Sequence, residues 1–285
     1  MKHLIAIAAV LITGAASAQT ITKKVVFQKD QQLETQSSMK MNMTMEMGGM
    51  SMEMVNSYQF TNQITVTDVT PAEIKLSQKA SHIVADVQAG PQSASYDSQK
   101  PADSTSQLAE VFGKKIKTTY HLTVDKNGKI TASDDTDAAK AADAITSITG
   151  SVGESMSLVG TNLEIIAALP AGKKLKAGDT WTDSLIDAKA NSRFLMNYKV
   201  LAIQGNEAQI GFGGTLDRAG EIQQQGMTLN MTIKGLLKGE YSFDTATGLI
   251  KTKKTNMDGD GKIEMAGQEI PFKMKVDSDL TLSRK

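Results

Sequence analysis

The chain has 285 residues, with 31 Lys+Arg against 31 Asp+Glu, 40% hydrophobic and 5% aromatic residues, 23 Gly, 5 Pro and no Cys. Balanced charge gives no electrostatic draw toward nucleic acid or anionic lipid, so neither is an expected partner. The absence of cysteine excludes disulfides, thiolate nucleophiles and Cys-ligated metal centres. Imidazole chemistry is limited to His3, His82 and His121.

Met1-Lys2-His3 is a short basic start, Leu4 to Thr13 is apolar, and Ala16-Ser17-Ala18 has the small-x-small pattern cut by signal peptidase. Export with cleavage after Ala18 is expected, leaving a single β-rich domain over 19–285. No later segment approaches about 18 uncharged apolar residues, so no transmembrane segment is expected after signal removal.

Eight of the 16 methionines fall between residues 39 and 54. Met39, Met41, Met43, Met45 and Met47 occupy odd positions; Met50, Met52 and Met54 occupy even ones, and the parity changes across Gly48-Gly49. A two-residue hairpin there sets 47 against 50, 45 against 52 and 43 against 54, which puts all eight thioethers on one face. That face continues through Tyr58, Phe60, Ile64 and Val66, while Lys40, Asn42, Thr44, Glu46, Ser51 and Glu53 stand opposite. Two readings follow. Unbranched, polarizable methionine fills an irregular core or lines an adaptable apolar pocket, which makes Met43, Met45, Met52, Met54, Tyr58 and Phe60 candidate ligand contacts. Alternatively Met41, Met43, Met45, Met52 and Met54 supply soft thioether donors to Cu(I).

Ala80 to Val87 reads as a strand carrying His82, and His121 lies in another beside Tyr120. Neither has a carboxylate or a second histidine at motif spacing, so both are expected to be structural. A short helix is expected from Ser104 to Phe112, with Gly113 just past its end. Asn127-Gly128 and Gly205-Asn206 mark further hairpins. Between Thr136 and Leu169 the period becomes helical: Ala138, Ala141, Ile145 and Ile148, then Val152, Met156, Val159, Leu163 and Ile166, parted by Gly150 and stopped by Pro170. A loop over Ala171 to Asp179 leads to Trp181, the sole tryptophan, expected to anchor the re-entry into sheet. Asp183-Ser184 has no histidine partner in sight and is read as part of a strand.

Alternation returns in Phe194, Met196, Tyr198 and Val200, in Met227, Leu229, Met231 and Ile233, and in Ile270, Phe272, Met274, Val276, Leu280 and Leu282. Asp244 to Gly248 reads as a longer hairpin loop. Gly267-Gln268 reads as the last hairpin turn, which would oppose Met265 to Ile270 and Ile263 to Phe272. Asn256, Asp258, Asp260 and Gly261 match the first half of a calcium loop, but Gly267 stands where its closing glutamate belongs, so a turn or bulge is the expectation. No catalytic or cofactor motif is found, and no enzyme or cofactor is expected.

The leader, the Met39–Met54 hairpin, Ser95 to Pro101, Val111 to Lys115 leading to Leu122–Lys129, and Gly178-Asp179-Thr180-Trp181 together resemble an exported family of Bacteroidota catalogued as a domain of unknown function, number 6263. The resemblance extends over most of the mature chain and implies an envelope or secreted location, with no catalytic residue to carry over. The sheet also resembles the curved antiparallel half-barrels of periplasmic lipoprotein carriers.

The expected fold class is mainly β (α+β): a curved antiparallel sheet or half-barrel of long meander hairpins. It divides into an N-terminal sheet half 19–133, a helical middle 134–170 and a C-terminal sheet half 171–285. The expected function is non-enzymatic binding of a lipid, another apolar small molecule or an envelope partner. Copper binding and a structural envelope module are the alternatives.

Overall fold

The computed structural model describes residues 19–100, 107–134, 159–187, 192–224, 227–265 and 267–285. The leader and the first expected helix of the middle segment, Ala138 to Ile148, lie outside the described residues. The elements are β1 (Gln32–Met47), β2 (Met50–Val69), β3 (Glu73–Ala89), β4 (Gln92–Asp97), α1 (Gln107–Lys117), β5 (Thr119–Asp125), β6 (Ile130–Ser133), β7 (Thr180–Asp187), β8 (Ser192–Gln204), β9 (Glu207–Gln224), β10 (Met227–Asp244), β11 (Ile250–Met265) and β12 (Gln268–Arg284). All strands join one open antiparallel sheet in the order β6-β5-β3-β2-β1-β12-β11-β10-β9-β8-β7, with β4 beside β3.

Two meanders therefore meet in the middle. The first and last strands zip together from Leu33↔Arg284 to Met45↔Phe272, which leaves β6 and β7 as the outer edges. The connection from β6 to β7 must travel from one edge to the other. Its described part, residues 159–179, does so as a strap. Leu163 N–H donates to Gly128 O at 2.8 Å, Ala167 N–H to Gly248 O at 2.9 Å, Ile250 N–H to Ile165 O at 2.8 Å, and Val200 N–H to Asp179 O at 2.9 Å. These bonds correct the described part of the second expected helix; its start, with Val152 and Met156, lies outside the described residues. From Val159 to Ile166 the backbone is irregular, because most of its paired polar groups bond to the ends of hairpins and only Ile166 N–H bonds locally, to Leu163 O at 2.9 Å. The spacing that suggested a helix instead buries Leu163, Ile165 and Ile166 against Leu33, Ile64, Leu76 and Ile130.

Alternation fixes the faces. Along β12, Ile270, Phe272, Met274, Val276 and Leu280 are buried, while Lys273, Lys275, Asp277 and Asp279 are exposed. The inner face is covered only in part, by the strap and by α1, so the sheet buries the remainder by wrapping on itself. Glycines permit the close strand approach that this needs. A Cβ on Gly239 would stand 2.1 Å from Lys254 O and 2.5 Å from Phe212 Cζ; one on Gly261 would stand 2.1 Å from Thr232 O and 2.6 Å from Phe272 Cζ. In each case an aromatic ring occupies the space above the bare backbone.

Two further expectations are corrected. The helix runs Gln107–Lys117, through Gly113 rather than ending before it; Leu108, Phe112 and Ile116 pack on the sheet and hold that glycine in the helix interior. The last hairpin pairs Met265 with Gln268 and Ile263 with Ile270, with Gly267 at φ +80°. The register therefore differs from expectation by two residues, and since side chains alternate every residue the faces are unchanged.

Gly113→Ala should stabilise the protein by about 0.5–1 kcal/mol, since nothing lies within 4 Å of the added methyl and the backbone is helical. Gly239→Ala should destabilise by about 3 kcal/mol through overpacking. Chemical denaturation of both variants checks the pair, and equal effects of one sign would refute the curvature argument.

Candidate functional site

The methionine hairpin forms with the register its glycines dictate. Met47 pairs with Met50, Met45 with Met52 and Met43 with Met54, while Met41 and Met39 face Asn56 and Tyr58. Gly48 and Gly49 both take positive φ, 60° and 83°, as a twisted two-residue turn demands. Burial is graded along the ladder. Met39, Met41 and Met43 are buried, and Met45, Met52 and Met54 are half-buried. Met47 is 42% exposed and Met50 at the tip is 72% exposed.

Opposite and beside this hairpin stand Phe272, Met274 and Val276 of β12, Met257 of β11 and Met231 and Ile233 of β10, all in one apolar cluster. Helix α1 covers its flank. The Phe112 ring lies 6.0 Å from Tyr58, 6.1 Å from Phe60 and 6.0 Å from Tyr96. Of the six candidate ligand contacts, Met43 and Tyr58 are thus buried, while Met45, Met52, Met54 and Phe60 are half-buried around them.

Polar groups that periodicity passed over interrupt this lining. Asn56 replaces an apolar residue in the alternating run Met50, Met52, Met54, Tyr58, Phe60. It is 0% exposed, and neither Oδ1 nor Nδ2 has a hydrogen-bond partner. Thr35 is likewise fully buried with Oγ1 unpaired. An orphaned buried amide costs about 1–3 kcal/mol. The visible signal is an asparagine at an inward position of an apolar period-2 run.

Lys253 also points inward, since it pairs in register with the buried Tyr241 and Leu280. Its Nζ lies 3.4 Å from Glu164 Oε1 of the strap. One row toward the hairpin tip the inward positions of three strands are small or polar: Ser278, Thr255 and Gly239 follow one another across β12, β11 and β10, with Met39 of β1 at the end of the row. This waist separates the methionine end from the aliphatic end. At the sheet edge Trp181 is half-buried and stacks on Tyr198 at 5.1 Å and 7°. Burial, with the Asp183 carboxylate adding, pushes the Tyr198 phenol up to about 12.

Both structural histidines acquire carboxylates through the fold. His82 Nε2 lies 3.0 Å from Asp97 Oδ1 across the β3–β4 hairpin, and His121 Nδ1 lies 2.8 Å from Asp134 Oδ2. The partners sit 15 and 13 residues away, beyond local motif spacing. The calcium-like residues lie in the middle of β11 rather than in a turn or bulge. Asn256 donates to Asp277 at 2.5 Å, and Asp258 lies 3.9 Å from Lys275. Alternate residues of a strand share one outer face, and they pair with the neighbouring strand instead of converging on a point. Asp183-Ser184 lies in β7, at the opposite side of the sheet from His121 on β5.

The architecture defines a class: an open, wrapped antiparallel sheet with a charged outer face and an apolar inner face. Residues 72–250 match the model of a family described as a family of unknown function, DUF6263, and the chain belongs to that family. The match takes in Ser95 to Pro101, Val111 to Lys129 and Gly178 to Trp181 but not the Met39–Met54 hairpin, so it is narrower than the resemblance drawn from sequence. No curated protein matches the chain. Among solved structures the chain resembles one titled for lipid–protein interactions in lipovitellin, at 12% identity and TM-score 0.51, covering 91% of this chain and 25% of that one. It thus spans about a quarter of lipovitellin's chain, and the likeness is one of fold. An outer membrane channel from Pseudomonas putida F1 matches at TM-score 0.25 and 6% identity, covering 91% of this chain and 98% of that one. OmpF of Salmonella typhi in complex with daunomycin matches at TM-score 0.24 and 9% identity, covering 90% and 99%. Both scores are too low to argue from.

The Asp97 carboxyl is held below the ordinary aspartate range by the Gln99 backbone N–H, then by His82 and Lys100. A depressed folded value contributes stability above the unfolded value of about 4, lost as the pH falls through the folded one. Asp97→Asn should therefore lower stability at pH 7 and lose less than the parent chain between about pH 5 and pH 2. Parallel acid denaturation profiles would contradict the assignment.

Proposed function

We propose that this protein is an exported, non-enzymatic binder of apolar small molecules, lipids included, and that the ligand enters over the half-buried methionines into the inner face. The observation that carries this reading is the graded exposure of one continuous thioether ladder, from buried Met41 to exposed Met50. Unbranched thioethers change rotamer cheaply, so a lining made of them adapts to guests of varied shape. The leader-like segment Met1 to Ala18 supports export. The outer face supports an aqueous setting. Lys273, Lys275, Asp277 and Asp279 of β12 and Lys254, Asn256, Asp258, Asp260 and Lys262 of β11 are exposed there. An outer-membrane barrel carries the reverse pattern, apolar outward and polar inward. Among the described residues no helix is long and apolar enough to cross a membrane.

The test uses the chain from residue 19 and the environment-sensitive dye N-phenylnaphthylamine. Saturable fluorescence enhancement is expected, and Met52→Asp with Met54→Asp should weaken it at least about tenfold, because charge at the half-buried rim opposes apolar entry. Met50→Asp, at the exposed tip, should change it little. A folded chain that leaves the dye dark would end this reading.

A second reading rests on the same register. Met43↔Met54 and Met45↔Met52 are adjacent cross-strand pairs on one face, which offers four soft donors to Cu(I). Replacing Met43, Met45 and Met52 by Leu keeps apolar volume and removes sulfur. Dye binding should persist in that variant, and competition titration with a Cu(I) chelator should show no copper affinity for the variant to lose. Tight copper binding that vanishes with the sulfurs would reverse the order of the two readings.

A further inference from the structure

We propose that Asn56 is the polar anchor of the inner face, and that the apolar ligand therefore carries a neutral hydrogen-bonding group such as a hydroxyl, ester or amide. The inference rests on the apolar-ligand reading and names the ligand class more closely.

Asn56 sits deep in the methionine end. Its register partners are Met41 on β1 and Val87 on β3, and Met54 and Tyr58 flank it on the same face of β2. The row continues through Val276, Met257 and Leu237. Every one of these residues packs in the same apolar cluster. The amide offers two donors and an acceptor, and within the protein all of them go unmet. Buried polar groups are retained in native interiors when something satisfies them, and a guest with one polar group is the partner that this position suits.

The surroundings select a neutral group. None of the flanking or in-register residues carries charge, so a carboxylate or phosphate brought here would lie without a counter-ion. Arg218 and Lys253 both point inward: Arg218 is in register with the buried Ile233, four residues along β9 from Gly214 in the Asn56 row, and Lys253 is already engaged by Glu164 at 3.4 Å. Lys253 also lies in register with Leu280, four residues along β12 from Val276, or about 13 Å toward the strap. A hydroxyl or carbonyl can instead exchange hydrogen bonds with the amide while its chain lies among the thioethers. Access follows the exposure gradient from Met50 and Met47 through Met52 and Met54, whose side chains can rearrange to uncover the site.

Displacement of N-phenylnaphthylamine from the chain starting at residue 19 by dodecane, 1-dodecanol and dodecanoate at pH 8 tests the inference. Dodecanol should displace the dye at least about tenfold more effectively than either of the others. Asn56→Leu, similar in volume, should keep dye binding, melt at or above the parent temperature and lose the preference for the alcohol over the hydrocarbon. Asn56→Ala provides a second removal of the amide with the same expected loss. Equal displacement by alcohol and hydrocarbon, preference for the carboxylate, or a preference that survives in both variants would overturn the anchor while leaving apolar binding intact. The first of these is the signature of an amide served by buried water, and the last assigns the preference to another group of the lining. Absence of dye binding in the parent chain would instead remove the apolar-ligand reading and the anchor with it.

Discussion

A strict two-residue alternation, written across strands of up to 20 residues, is the constraint on which this molecule turns. One face must leave water, yet the described chain supplies no second sheet to cover it. The remaining solution is curvature, and curvature must be paid for at specific places. Gly239 and Gly261 are two of these, where partner-strand carbonyls come so close that a methyl group would overlap them. Phe212 and Phe272 lie over the exposed backbone and restore apolar contact. The connectivity then follows. Because the two terminal strands pair at the centre, the middle of the chain must bridge the two edges, and the strap that does so lies across the inner face.

The interior is consequently built from two materials. Around the strap the packing is mainly aliphatic and branched: Ile64, Val66, Ile74, Leu76, Ile130, Leu163, Ile165 and Ile166 on one side, and Ile21, Leu169, Leu175, Val200 and Ile210 on the other, with Phe27, Tyr241 and Phe243 among them. Such side chains hold few rotamers and specify a fixed shape. From the waist of Ser278, Thr255 and Gly239, where Met39 stands opposite Ser278, the packing passes to Met41, Met43, Met231, Met257 and Met274. Thioether chains specify shape weakly and adapt easily. One end of the sheet is a stable plug, and the other is a deformable lining left half-open at the hairpin tip.

Much of this was legible in the residues. The Gly48-Gly49 parity change set the hairpin register to the residue, and face assignments survived even where Gly267 shifted the last register by two. What local patterns could not carry was anything decided by distant pairing. The β1–β12 seam joins the ends of the chain and leaves no local trace. Val159, Leu163 and Ile166 satisfy a helical period, yet the ends of the β5–β6 and β10–β11 hairpins take up the backbone groups around them. His82 and His121 find Asp97 and Asp134 only once the sheet has formed. Asn56 was visible throughout, but a reading that follows apolar residues steps over the polar one among them.

An open sheet also has to manage its two edges, which otherwise invite pairing with a second chain. Here they are the short strands: β6 has four residues and β7 eight, against 16 to 20 in the central β1, β2, β9, β10, β11 and β12. The strap pairs with the β6 edge, where Ile130 N–H donates to Thr161 O and Gly160 N–H to Ile130 O, both at 2.8 Å. On the same side β4 and β5 share β3 between them, β4 pairing with Val84 to Ala89 and β5 with Glu73 to Lys79. The long, regular strands are thereby placed where both sides are paired. Closure into a barrel is not needed to protect them, and the inner face keeps the open side through which its methionines meet solvent.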